Sequence, residues 1–176
     1  VSTPEYPESS DEYEFEVLRY PSINTLDKIG YTTGIPFELS YLSELKEKKI
    51  DVIHVHCPMT SMILARILRD SIQKPIIFTY HTKYDIDIRR TIREKHLQDK
   101  AIQAIVKNIA SCDEVWAVSE GAAESLRSLG YTGDIRIMEN GVDMPKGKVS
   151  EEEILAIKSE YDLKDGIPSY LFVGRM

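Results

Sequence analysis

The sequence predicts an α/β fold built on a mainly parallel sheet, and three observations carry that prediction. Short runs rich in β-branched and aromatic residues recur at Ile50–Val55, Ile76–Tyr80 and Glu114–Val118. Stretches with apolar residues at helical spacing separate them. The links are short, so strand and helix alternate within one Rossmann-like three-layer domain.

Taken in order, Val1–Ser10 reads as a leading loop, broken by two prolines and two adjacent serines. Phe15–Tyr20 alternates apolar and polar residues as an outer strand closed by Pro21. Pro36 stands where it can open a helix with Phe37, Leu39, Leu42 and Leu45 on one side. Ile50, Val52, Ile53 and Val55 form the next strand; Thr60 or Ser61 then caps a helix carrying Met62, Ile63, Leu64, Ile67, Leu68 and Ile72.

Pro75 bars a helix from running into Ile76–Tyr80, which reads as a buried strand. One long helix, about Ile88 to Ala110, follows with Arg89, Arg90, Arg93, Lys95, Lys100 and Lys107 on its other face. After the strand Glu114–Val118, Ser119 caps a helix that Gly130 stops. Ile135, Ile137 and Met138 make another strand, Asn140-Gly141 is a turn signal, Glu151–Tyr161 an acidic-headed helix and Ser169–Val173 a last strand. The charged stretch Asp143–Gly166 reads as a domain link, and the sheet's first strand is expected to be missing.

With 42% hydrophobic and 29% charged residues, the composition is that of an ordinary globular domain. No apolar run reaches the roughly 20 residues that cross a bilayer, and the first residues lack the basic start and apolar core of a signal peptide. A net charge of −7 argues against a general affinity for nucleic acid. Cys57 and Cys112 read as two reduced, partly buried thiols of a cytoplasmic protein.

Neither a G-x-G-x-x-G run nor a P-loop occurs, which sets dinucleotide and ATP binding aside. His54 and His56, two apart on a strand, face the same way but lack an evident third metal ligand, so packed or hydrogen-bonded histidines are the default. His96 reads as a surface residue. The richest cluster is His81, Thr82, Lys83, Tyr84 and Asp85, which places a base, a hydroxyl, a cation, a phenol and a carboxylate at the end of a buried strand. Open parallel sheets bind ligands beyond the carboxyl ends of their strands, so His81 is the first candidate for chemistry.

Five segments then stand in a familiar order: DVIHVHCP, FTYHTKYD, DEVWAVSEGAAESLRSLGY, MENGVD and LFVGRM. In sequence and spacing they resemble family 4 (group 1) retaining glycosyltransferases of the two-domain GT-B fold. The resemblance implies that residues 1–167 form the N-terminal acceptor-side domain with its linker, and that residues 168–176 begin the nucleotide-sugar domain. His81 resembles the family histidine that faces the transferred sugar, and Thr82 beside it helps define the acceptor pocket. Ser119 and Glu120 match a serine–acid pair bordering the same cleft. Asn140, Gly141 and Asp143 match an N-G-V-D loop near the hinge. Gly174 and Arg175 match a glycine–arginine pair whose cation reaches the donor diphosphate, where negative charge grows as the sugar bond breaks.

Two departures stand out. Met138-Glu139 replaces a usual Ile-Pro, and the family's glycine-rich loop after the first strand, its lysine soon after Arg175 and its donor-gripping acidic E-x7-E segment have no counterpart in these residues. The implied function is therefore one half of a hexosyltransferase that uses a nucleotide sugar, UDP-glucose by family habit, without a cofactor or required metal. Its acceptor, lipid or glycan, is undefined. A basic helix face suits peripheral contact with anionic lipid at the inner face of a membrane. Two other readings stay open: a GT-B nucleotide-sugar epimerase, and a flavodoxin-like binding module without chemistry.

Overall fold

A computed structural model describes residues 1–7, 12–29, 32–81, 83–143 and 147–172. The chain divides into two units, Val1–Asn140 and Gly141–Met176.

The first unit opens with β1 (Ser2–Pro4), where the sequence predicts only loop. It pairs in parallel with β2 (Leu18–Tyr20), Ser2 opposite Leu18 and Pro4 opposite Tyr20. β2 is thus shorter than the predicted Phe15–Tyr20 strand, and Phe15 instead stacks on Tyr13 with ring centroids 5.2 Å apart. A two-stranded antiparallel ribbon follows, β3 (Ser22–Ile23) with β4 (Thr33–Gly34), enclosing the short α1 (Leu26–Ile29).

α2 (Leu39–Glu47) begins three residues after Pro36. Its buried side chains are Tyr41, Leu42 and Leu45, whereas Phe37 and Leu39 of the predicted stripe are exposed. Pro36 is itself fully buried, which makes it an anchor for the approach to the helix and not its first residue.

The main sheet consists of β5 (Ile53–Val55), β6 (Ile76–Tyr80), β7 (Glu114–Ala117) and β8 (Arg136–Ile137), ordered β5-β6-β7-β8 and parallel throughout. Each crossover is helical: α3 (Thr60–Ile72), then α4 (Tyr84–Thr91) with α5 (Lys95–Ile109), then α6 (Glu120–Ser128). This is the Rossmann-like α/β arrangement predicted from the alternation. The single long helix expected over Ile88–Ala110 is two helices, because Ile92 turns extended (φ −99°, ψ 122°) and Glu94 starts α5 afresh. The α3 cap also differs: Met59 is the N-cap and no side chain supplies it, Thr60 being already helical.

Period-two alternation divides the sheet into two faces. Val55, Ile76, Phe78, Tyr80 and Val115 form one buried cluster with Met62 and Ala65 of α3, Ile88 of α4, Ile102, Ile105 and Ile109 of α5, and Leu126 of α6. α3 is buried on two sides, since Leu64 and Leu68 join Tyr20, Tyr41, Leu42 and Leu45 in a second cluster. β6 lies inside the sheet with four of its five residues buried, so its backbone is the most constrained of the four strands.

In the second unit, α7 (Glu151–Glu160) carries a capping box: the Ser150 hydroxyl accepts from the Glu153 amide, and the Glu153 carboxylate accepts from the Ser150 amide. The predicted link between Asp143 and Gly166 therefore contains a helix. No turn forms at Asn140-Gly141, and Ser169–Phe172 of the predicted last strand is irregular. Tyr170, Leu171 and Phe172 are exposed, and among the described residues no strand pairs with them, so no ladder holds the segment extended. Among the described residues, no helix is long and apolar enough to cross a membrane.

Candidate active site

Because the four strands are parallel, their carboxyl ends share one edge, and the residues just past β5, β6 and β7 are displayed together there. Tyr80, fully buried, ends β6, and His81 directly after it is exposed. The register that sets Val55 beside Phe78 places His56 and His81 at neighbouring strand ends. His56 Nδ1 and His81 Nε2 are 2.8 Å apart in a hydrogen bond.

The same face continues along the sheet. His54 Nε2 is hydrogen-bonded to the Thr79 hydroxyl at 2.7 Å, and Thr79 is buried. The His54 ring packs against His56 with centroids 4.3 Å apart and meets the Trp116 indole edge-on at 5.2 Å. Trp116 is fixed in turn by donating its Nε1–H to Glu114 Oε2 at 2.7 Å. Three histidines and a tryptophan from three adjacent strands thus form a row that ends at the exposed edge. Partial burial, and secondarily the neighbouring rings, push the pKa values of His54 and His56 below the ordinary histidine value, which favours their neutral forms although solvent still reaches both rings.

The other predicted site residues distribute unevenly. Thr82, Gly174 and Arg175 lie outside the described residues. Lys83 is the exposed N-cap residue of α4, and Tyr84, the first residue of that helix, donates its hydroxyl to the His56 carbonyl oxygen at 2.9 Å. Ser119 does cap α6 as predicted, its hydroxyl accepting from the Ala122 amide at 3.2 Å, and Glu120 opens the helix. Both follow β7 at the edge that carries His81. Asn140, exposed, ends the first unit three residues after β8. Gly141 and Asp143 belong to the second unit.

His56, His54, Thr79 and Trp116 are the neighbours that sequence reasoning did not assemble. The available signal was the period of two: His54 and His56 on one strand and Thr79 and His81 on the next share a face once the strands pair in parallel. Among the described residues, no group of three or more histidine, cysteine or acidic side chains is placed to hold a metal ion. Cys57, just past β5, and Cys112 are unpaired and partly buried, and burial pushes both thiols up, Cys112 to about 12. Neither is a ready nucleophile. A cavity of about 660 Å³, lined by Pro4, Leu18, Val55, His56, Cys57 and Ser61 among others, opens on the outer side of β5; His81 does not line it.

Residues 1–145 match the model of Glycosyltransferase Family 4. The chain belongs to that family. Its family 4 sequence is also similar to alpha-monoglucosyldiacylglycerol synthase of Streptococcus pneumoniae, with 20% identity over 135 residues, 74% of this chain and 31% of that protein. The chain thus spans about a third of the length of this relative. Family 4 membership covers β1 to β8 and ends before α7.

Proposed function

We propose that this chain is the acceptor-side part of a retaining glycosyltransferase that moves a hexosyl group from a nucleotide sugar to an acceptor hydroxyl. The observation that carries the reading is the family match over residues 1–145, taken with His81 standing exposed at the carboxyl end of the most buried strand. In the transfer, the bond from the anomeric carbon to the diphosphate oxygen breaks and a bond from that carbon to the acceptor oxygen forms. The hydroxyl proton ends on the diphosphate. His81 is the candidate group beside the reacting sugar. Ser119 and Glu120 border the same cleft, and Arg175 is the cation for the diphosphate.

The relative's name supports a glucosyl donor, UDP-glucose as the proposed form, and a lipid acceptor. The exposed cations Arg90, Arg93, Lys95, Lys100 and Lys107 on α4, α5 and the joint between them suit an anionic membrane surface, and Ile86 and Leu97 are exposed apolar residues on the same two helices. Arg89 contributes less, being paired with Asp85 at 3.7 Å. Sedimentation with anionic liposomes at low and high salt tests this contact: binding should appear at low salt and fade at high salt.

The transfer itself is tested in the longer parent protein with a nucleotide sugar and candidate acceptors. His81→Ala should lower kcat on the order of 100-fold or more with nucleotide affinity little changed. An unchanged kcat removes His81 from the chemistry. Product formed from nucleotide sugar without an acceptor would favour the epimerase reading instead. The 176-residue chain alone should show negligible turnover.

A further inference from the structure

The hydrogen bond between His56 and His81 has a chemical consequence that follows from there being one hydrogen between two nitrogens. For two imidazoles that each carry one N–H, a contact of 2.8 Å between ring nitrogens requires one nitrogen to carry the hydrogen and the other to be bare. Only two assignments satisfy it. If His56 donates, both rings adopt the Nδ1–H form, and if His81 donates, both keep the Nε2–H form, which a free neutral imidazole side chain favours. The second assignment costs neither ring its preferred tautomer.

We propose that His56 is a positioning residue for His81: it accepts the His81 Nε2–H at its own Nδ1, and thereby leaves the Nδ1 lone pair of His81 as an acceptor for a sugar hydroxyl. The pairing rests on the structure, and the identity of the hydroxyl's owner rests on the transferase reading above.

His56 is itself held for this task from two directions. Tyr84 donates to its carbonyl oxygen at 2.9 Å, and His54, anchored on the Thr79 hydroxyl, packs against its ring. Among the described residues, His56 is the hydrogen-bond partner of the His81 ring. Solvent reaches all three imidazoles, so the bond contributes little to stability, and what it supplies is orientation. A ring that would otherwise turn about χ2 and exchange tautomers presents one defined nitrogen. Asparagine makes a discriminating substitute for His56, because its Oδ1 sits the same number of bonds from Cβ as Nδ1 and can accept the same hydrogen. Leucine fills similar space without an acceptor.

Long-range proton–nitrogen NMR correlations of the imidazoles of this chain at pH 7.5 read the tautomers directly. In the wild type and in His56→Asn, His81 should show a protonated Nε2 and a bare Nδ1, with an Nε2–H protected from exchange with water. In His56→Leu that protection should be lost and the His81 signals should average between tautomers. A wild-type His81 protonated at Nδ1, or a His81 spectrum unchanged by His56→Leu, would overturn the pairing. Should His56→Leu fail to fold, the wild-type tautomer and its retention in His56→Asn decide the matter. In the parent protein, His56→Leu should lower kcat on the order of 10-fold with the donor KM held, and His56→Asn should recover most of it. Equal losses in both variants would overturn the positioning role. A wild-type parent that transfers no sugar would overturn the functional reading and the hydroxyl ligand with it, while the spectra still decide the pairing.

Discussion

The Tyr84 hydroxyl donates to the main-chain carbonyl oxygen of His56, tying the first residue of α4 to the residue just past β5. The bond spans one crossover, α3, together with β6, and so joins the residues just past two neighbouring strands. Tyr84 also packs edge-on against the Tyr80 ring at 5.7 Å, which Phe would retain. Tyr84→Phe should therefore cost under about 1 kcal/mol in urea unfolding, while shifting the NMR signals of His56 and His81. Unmoved imidazole signals would show that the tie does not reach the rings.

Asp113 accepts from the Ile76 amide at 2.7 Å, and its own amide donates to the Ile76 carbonyl, fixing the first residue of β6. Removing the carboxylate leaves that donor, on a fully buried residue, without its acceptor. Asp113→Ala should cost about 1–3 kcal/mol, and Asp113→Asn, which keeps an oxygen in place, markedly less. Urea midpoints of the two variants check this, equal losses counting against it.

Ser119 caps α6 through its side chain. Ser119→Ala should lower stability by about 1 kcal/mol, and Ser119→Asn or Ser119→Asp should largely restore it. Thermal melts of the four chains separate this structural role from any part in binding the substrate, since a cap is replaceable by other cap formers.

His54 and His56 have pKa values pushed below the ordinary 6.5, chiefly by burial. The unfolded chain therefore takes up protons on these rings before the folded chain does, and stability falls as the pH drops below about 6.5. The fall continues until the folded rings protonate too. Unfolding midpoints at pH 7.5, 6.5 and 5.5 should decline, and His54→Gln with His56→Asn should flatten the upper part of that decline. A midpoint that holds or rises on acidification contradicts the sign.

The layout of the main sheet was legible because it rests on composition and period. Ile76–Tyr80 is a strand at the boundaries its residues suggest, and Ser119 and Gly130 bracket α6 as cap and left-handed stop, with Gly130 at φ 100°. The misreadings share a cause. β1 has no apolar pattern of its own and exists because β2 pairs with it. The break between α4 and α5 falls in the polar run Arg93–His96, which interrupts an apolar spacing that resumes beyond it, so that Ile88 and Ile102 are buried in the same cluster from different helices. The His56–His81 contact needed the strand register, which no local pattern encodes.

One peptide bond separates Tyr80, which no solvent reaches, from His81, which solvent reaches freely. Mechanical anchorage and chemical access thus change over between consecutive residues. In amide exchange, β6 should number among the slowest segments of the chain, with the candidate catalytic group mounted at its very tip. A side chain carried this way can meet a ligand without the ligand having to order the strand beneath it.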